Sequence, residues 1–414
     1  MNLAKTSILS FIATAIKILA GLVINKAVSI YIGPSGLAVI GQFQNALGLI
    51  QTIAKGGINS GVTKYTAEYH DDPHLRSILW STSLKLTMYC SLAFSIFLIF
   101  GASYFSEYIF KTNDYNYVFI TFGFTLTIFS VNQLLLSILN GLKEIKTFIS
   151  INIIQSIYSL FFTTLLILYF ELDGALFAMV TNQSVVFFIV LWKLRRHNTI
   201  IFENFNKRFN NEEFKKLLKY SLMALVSAFT VPVSLMIIRE YIGGELSWDD
   251  AGYWQAMMYI STMYLMVVTT ALSTYYLPRL SEIKEKKELR NELKQGYLLI
   301  IPIVLILSLG VYLLKDIVVW LLFTEDFNKM LILFKYQLIG DIFKIAAWLL
   351  AYVMLARAMT KVFIITEILF SISLVVLSIT LADQFGLIGL SYAYAINYGL
   401  YLICMIFIMK KSLY

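Results

Sequence analysis

The sequence predicts an all-α polytopic membrane protein: twelve transmembrane helices in two six-helix lobes, related by a pseudo-twofold axis along the membrane normal. Three observations lead there. Twelve apolar runs are long enough to cross a bilayer, Lys and Arg are distributed one-sidedly between them, and the two halves echo each other. Composition agrees, with a mean hydropathy of +0.75. Some 59% of the residues are hydrophobic and 14% charged, which excludes an ordinary soluble globular chain.

About twenty apolar residues cross the ~30 Å of hydrocarbon in a bilayer. Such runs fall at 7–30, 37–58, 78–101, 117–139, 148–170, 174–192, 220–242, 251–277, 297–322, 330–355, 362–382 and 385–409. Met1–Ser10 leads straight into the first, with no small-residue cleavage site after a short apolar core, so no cleaved leader is expected. With the N-terminus inside, the inner segments hold twenty-three Lys and Arg, and the outer ones only Lys111, Arg239, Lys315 and Lys329. That split puts both termini in the cytoplasm. It also gives the net charge of +8 a membrane meaning, not a nucleic-acid one. Cys90 and Cys404 lie inside spans, so no disulfide framework is implied. His70, His74 and His197 show no metal-ligand spacing, and no cofactor is expected.

The basic segment Lys193–Lys219 divides the chain. The expected organisation is an N-lobe over 1–196, a cytoplasmic basic linker over 197–216 and a C-lobe over 217–414. Tyr31-Ile32-Gly33 returns as Tyr241-Ile242-Gly243, and Gly41-Gln42-Phe43-Gln44 as Gly252-Tyr253-Trp254-Gln255. Phe110–Tyr115 is echoed by Phe323–Phe327, Lys146-Thr147-Phe148 by Lys361-Val362-Phe363, and Gly174-Ala175-Leu176 by Gly386-Leu387-Ile388. All five echoes keep the same order. Six spans per half give both copies one orientation, which sets the axis along the membrane normal.

The stretch Gly36–Tyr65 is apolar enough to span, yet Gln44, Gln51 and Lys55 fall within about 40° on one helical face, beside Gly48. A lysine in hydrocarbon costs roughly 3 kcal/mol on insertion scales. Two readings fit: the face lines a water-filled cavity, or Lys55 snorkels to the nearer surface. Lys17 near mid-depth and Lys85 about a third of the way in pose the same question, whereas Lys26 and Lys335 lie near the outer face and snorkel. In the tenth span Gln337, Asp341, Lys344 and Trp348 share one side. Asp341 and Lys344 suit either a structural ion pair or a coupling or cavity role. Pro232 in the seventh span suits a kink or hinge. Tyr253, Met257, Ile260 and Tyr264 share a face of the eighth, for packing or for stacking on sugar.

No G-x-x-x-x-G-K-[ST] loop is present, so this chain is not expected to hydrolyse nucleotide. The outer loops are short. The acidic pairs Asp71-Asp72 and Asp249-Asp250 read as solvated turns, so no enzyme is expected.

Further motifs bear on the family: Gly33-Pro34-Ser35-Gly36-Leu37, the run GINSGVTKYTAEYHDDP over Gly57–Pro73, and Thr112-Asn113-Asp114-Tyr115. SLMALVSAFTVP over Ser221–Pro232 and Tyr276-Leu277-Pro278-Arg279-Leu280 extend the set. In these the chain resembles the Wzx-type flippases for lipid-linked O-antigen and enterobacterial common antigen oligosaccharides. They belong to the multidrug/oligosaccharidyl-lipid/polysaccharide exporter superfamily. The resemblance runs nearly end to end, and it implies alternating access and a bacterial inner-membrane location. It also implies undecaprenyl-pyrophosphate-linked oligosaccharide as the substrate, membrane lipids as surroundings, and a place beside the polymerase and chain-length machinery. Basic residues on the first two helices of such flippases meet the pyrophosphate; the positions that fit are Lys17, Lys55 and Lys64, with Gln44 and Gln51 as further substrate-binding candidates. The alternative is a cation-coupled multidrug exporter of the same architecture. It would line its cavity with carboxylates, whereas the surplus here is lysine.

The orientation is testable. Asn210→Cys and Lys286→Cys, each in a background lacking Cys90 and Cys404, should resist a membrane-impermeant thiol reagent in intact cells. Ready labelling of either would reverse the topology.

Overall fold

Hydrocarbon supplies no hydrogen-bond partners, so an apolar chain must satisfy its backbone within helices. The computed structural model describes residues 3–195, 199–272, 276, 279–280, 283, 285–357 and 359–413, and among them it is all-α. Leu277 and Pro278 of the motif above, His197, Arg196 and Lys284 lie outside the described residues. The first helices are α1 (Leu3–Tyr31), α2 (Gly33–Ala54), α3 (Asn59–Glu68), α4 (Pro73–Phe100) and α5 (Ala102–Phe110). There follow α6 (Asn116–Gly141), α7 (Ile145–Leu194), α8 (Asn211–Glu245) and α9 (Trp248–Ala271). The remainder are α10 (Lys286–Leu313), α11 (Lys315–Leu322), α12 (Phe334–Ala356), α13 (Thr360–Phe385) and α14 (Leu387–Leu413).

Ten helical segments among the described residues are long and apolar enough to cross a membrane. One of them, α7, has 50 residues, about twice what a bilayer needs. It turns back at Glu171, whose φ of 49° and ψ of −121° break the helix, so it contains both expected spans 148–170 and 174–192. The expected eighth span is helical as α9 as far as Ala271 but is not among the ten, because Gln255, Ser261 and Thr262 dilute its apolar run.

The chain forms two compact units. One comprises Met1–Ile32 with Gln42–Pro232; the other comprises Gly33–Gly41 with Val233–Tyr414. Within the first, α1 packs along α7, and α6 packs on α4, α7 and α3. Within the second, α12 packs on α14 and α10, and α13 on α14.

Local chemistry sets the helix ends. Pro34 opens α2, and Pro73 opens α4 behind Asp72. Asp72 accepts hydrogen bonds from the amides of His74 (3.1 Å) and Leu75 (3.0 Å), so it is an N-cap. Ser247 caps α9 by accepting from the Asp250 amide at 3.0 Å. Asp250 is buried, takes the Ser247 hydroxyl at 2.7 Å and meets the Lys329 ammonium at 2.7 Å. Neither acidic pair is merely a solvated turn, since each supplies a carboxylate to a helix start. The segment before α8 is fastened to α4. Asn204 accepts from the Ser77 hydroxyl, while Ser81 and Thr82 accept from the amides of Lys207 and Asn210. Lys85 donates to the Lys207 carbonyl at 2.8 Å, which accounts for that cation without a ligand.

The internal echo has a structural counterpart displaced by three residues. In the first unit the corner is Glu171, and in the second it is Gly386 at φ 64°. Three residues beyond each stands a glycine against which the returning helix closes. A Cβ on Gly174 would lie 2.0 Å from the Leu166 carbonyl oxygen, and one on Gly389 2.0 Å from that of Leu381. Gly174 therefore corresponds to Gly389, not to Gly386 as the tripeptide match suggests. Gly174→Ala and Gly389→Ala should each destabilise the purified protein by at least about 1–3 kcal/mol through overpacking, seen as a lower melting temperature. Gly48→Ala, which meets nothing within 4 Å, is the control; equal melting of all three would remove the glycines from this role.

Candidate functional site

In the first unit the polar face of α2 ends at Lys55. The helix stops there because Gly56 and Gly57 take φ of 67° and 64°. Gly57 is also pressed on α8, where a Cβ would lie 3.0 Å from the Ser221 backbone. Lys55 is half-buried, and its ammonium lies 5.5 Å from the Phe129 ring centroid. No carboxylate pairs with it among the described residues. Gln44 is exposed and Gln51 half-buried. Lys17 is exposed on α1, and no described hydrogen bond, ion pair or ring contact joins it to the α2 face. Lys64 stands apart on α3, exposed, with its ammonium over the rings of Tyr65 (4.9 Å) and Tyr220 (5.5 Å). A hydrogen bond with the Tyr220 hydroxyl raises its pKa above the usual lysine range, outweighing partial desolvation.

A polar seam beside this face was not singled out in the sequence. Asn59 donates to the Gln133 carbonyl (3.1 Å) and the Ser137 hydroxyl (2.8 Å), and Gln133 donates to the Gln183 side chain at 2.7 Å. Asn132-Gln133 and Asn182-Gln183, two amide pairs inside apolar runs, were the available signal. Such groups stay in a membrane only when paired or hydrated.

The second unit gathers the tenth-span residues. Asp341 is fully buried and accepts hydrogen bonds from the hydroxyls of Tyr264 (2.8 Å) and Tyr394 (2.9 Å). Tyr264 also meets the Ser308 hydroxyl at 3.1 Å. The Lys344 ammonium lies over Trp348 (5.0 Å), Tyr398 (5.4 Å) and Tyr394 (5.8 Å). The two charges thus have separate partners, hydroxyl donors for the carboxylate and aromatic faces for the ammonium. Of the eighth-span tyrosines, Tyr264 serves this carboxylate. Gln337 donates to Ser261 at 3.4 Å, and Lys335 is exposed over Tyr336. Arg239, counted with the outer cations although near the end of the seventh span, lies within α8, buried and donating to Gln255.

Comparison with known proteins agrees with this architecture. The model of the polysaccharide biosynthesis protein family matches residues 3–284, and that of the Lipid II flippase MurJ matches residues 205–414. A Lipid III flippase of Escherichia coli (strain K12) is 29% identical over 414 residues, 99% of each chain. Among solved structures, an inward-facing multidrug resistance MATE family transporter of the MOP superfamily superposes with a TM-score of 0.77 at 15% identity. It covers 96% of this chain and 94% of that one. The Lipid II flippase MurJ in an inward closed conformation gives 0.76 at 15% identity, over 98% of this chain and 87% of that one. At such identities the structural likeness establishes the fold, that of MOP-superfamily transporters, and the chain itself belongs to the polysaccharide biosynthesis protein family.

Proposed function

We propose that this protein is a flippase. It moves undecaprenyl-pyrophosphate-linked oligosaccharide repeat units from the cytoplasmic to the periplasmic leaflet of the bacterial inner membrane, for O-antigen or enterobacterial common antigen assembly. The end-to-end match to a Lipid III flippase carries this reading. Twelve helices would work as two six-helix lobes, 1–196 and 217–414, joined by the 197–216 segment and rocking in alternating access with both termini cytoplasmic. Lys55 and Lys17, with Lys64 at the cytoplasmic end, would meet the diphosphate. Gln44 and Gln51 would meet the first sugars, and the prenyl tail would stay in lipid. The polymerase and chain-length machinery would receive the product. The residue chemistry supports an anionic cargo: Lys55 has an aromatic ring beside it and, among the described residues, no paired carboxylate, while both oxygens of Asp341 are engaged by tyrosines. A cation-coupled drug exporter would need the reverse.

Expression in a flippase-deleted strain, scored by surface-glycan staining, tests the function. Lys55→Ala should cripple glycan assembly while leaving protein level and membrane insertion intact. Lys55→Arg should restore part of it, since charge matters most for a mobile diphosphate. Normal assembly by Lys55→Gln would return Lys55 to snorkelling.

The driving force makes a second test. An anion leaving an inside-negative cell runs down the electrical gradient. A diphosphate diester carries about two charges, so the gain is up to ~4–5 kcal/mol per 100 mV. In proteoliposomes, an imposed inside-negative potassium-diffusion potential should therefore accelerate flipping without a proton or sodium gradient. Asp341→Asn should slow flipping without abolishing it. Flipping indifferent to voltage but stopped in Asp341→Asn would make Asp341 the coupling site instead.

A further inference from the structure

The helix α3 and the start of α8 are held together by small residues. Gly57 and Gly61, four apart, let α8 approach: a Cβ on Gly61 would lie 3.0 Å from a Leu217 methyl and 3.3 Å from the Tyr220 ring. The Ser221 hydroxyl donates to the Gly56 carbonyl. This close approach assembles Tyr65, Tyr220, Lys64 and Lys216 on one surface of the first unit, over the buried Tyr69. Tyr65 stacks with Tyr69 at 6.0 Å and meets Tyr220 edge-on at 5.9 Å. Lys64 lies over Tyr65 and Tyr220, and Lys216 over Tyr69 (5.4 Å) and Tyr65 (6.0 Å).

The two lysines are held differently. Lys216 donates to Glu213 at 2.7 Å and to the Tyr69 hydroxyl at 2.8 Å. An ammonium has three N–H groups, so one remains, on a side chain that is 43% exposed. Glu213 is committed beneath, 4% exposed and also accepting from Tyr69. Lys64 has a tyrosine hydroxyl as its hydrogen-bond partner, and Glu68 acts on it only at longer range. Among the described residues its charge is therefore not cancelled at contact distance. Tyr65 and Tyr220 are only partly buried, so ring surface is available beside that cation. Glu212, Glu213, Lys215, Lys216 and Lys219 crowd the first turns of α8, which places this end at the polar boundary of the membrane. The diphosphate of a polyprenyl lipid sits at the same level, with its first sugar on the water side.

We propose that Lys64, Lys216, Tyr65 and Tyr220, backed by the buried Tyr69, form a docking platform for a polyprenyl diphosphate sugar: the lysines bind the diphosphate and the rings of Tyr65 and Tyr220 pack against the apolar face of the adjoining sugar. This deepens the flippase reading and rests on it, as the place where cargo is received on the cytoplasmic side. Lys64 acts as the mobile cation. Lys216, anchored by Glu213, is the fixed one and holds Tyr69 against Tyr65.

The test uses the purified full-length chain in detergent and two soluble probes of equal charge, farnesyl diphosphate esterified with a hexose or with methanol. Calorimetric titration should find the hexose ester bound more tightly, by about threefold to tenfold for a ring contact of this kind. Lys64→Gln should weaken both probes by about tenfold, the loss of one charge-assisted bond, and Lys64→Arg should recover most of that. Tyr65→Leu should abolish the preference for hexose, and Tyr65→Trp should keep it, with melting temperatures confirming that each variant folds. Equal binding of both probes to the parent chain, together with unaltered binding by Lys64→Gln, would overturn the platform. A parent chain that binds as described but flips no lipid-linked oligosaccharide in proteoliposomes would leave the platform standing and remove the transport reading. Normal flipping with variants that bind like the parent would do the opposite.

Discussion

Hydrocarbon offers a polar group nothing to bond with, and this constraint governs most of what the chain does with its polar residues. Hydroxyls turn back onto their own helices, as Ser130 does to Leu126, Thr181 to Phe177 and Thr366 to Val362. Amides pair across helices, as Gln133 does with Gln183. The one fully buried tenth-span carboxylate, Asp341, is met by two phenols from two other helices. Lys55 and Lys344 depart from this pattern, because their ammonium groups lie against aromatic rings and, among the described residues, neither forms an ion pair.

The same constraint decides which features were legible in the sequence. The spanning helices follow from apolar length, a local property of the chain. The stripe of Gln44, Gln51 and Lys55 was legible for the same reason, since helical periodicity alone puts those residues on one face. Lys64 was not separable from Lys55 by that means: the pair of left-handed glycines between them ends one helix and begins another. The partnership of Asp341 with Tyr264 joins residues far apart in sequence and depends on packing, so a three-residue spacing to Lys344 was the only visible cue. The basic segment before α8 reads as a solvated linker by composition. Its attachment runs through Ser77, Ser81 and Thr82, whose hydroxyls look unremarkable in a helix.

The internal repeat shows how a sequence echo can be real and still misaligned. Matching Gly-Ala-Leu with Gly-Leu-Ile pairs residues by identity, but the two glycines do different work. Gly386 is the corner itself and needs a positive φ, whereas Gly174 lies past the corner and needs to be small. The corner in the first unit is Glu171, a residue that pays for the same backbone shape with strain that glycine avoids. What is repeated is therefore the geometry of a tight helical return, closing a glycine on a carbonyl eight residues earlier, and not the identity of the residue that turns.

Cations shielded by rings suit a site that must take up a charged cargo and then let it go. Contact with an aromatic face is worth about 0.5–2 kcal/mol, enough to lessen the cost of holding a lysine away from bulk water. Separating a buried carboxylate from its lysine leaves an uncompensated charge and costs about 3–5 kcal/mol. A lysine paired in that way would resist an incoming diphosphate. If Lys55 meets the diphosphate as proposed, it would turn from Phe129 and leave behind only a ring that needs no partner. The charge-assisted bonds it then makes face little competition from the protein, and the return of the ammonium to the aromatic face eases release. Aromatic neighbours thus keep such a cation available without committing it.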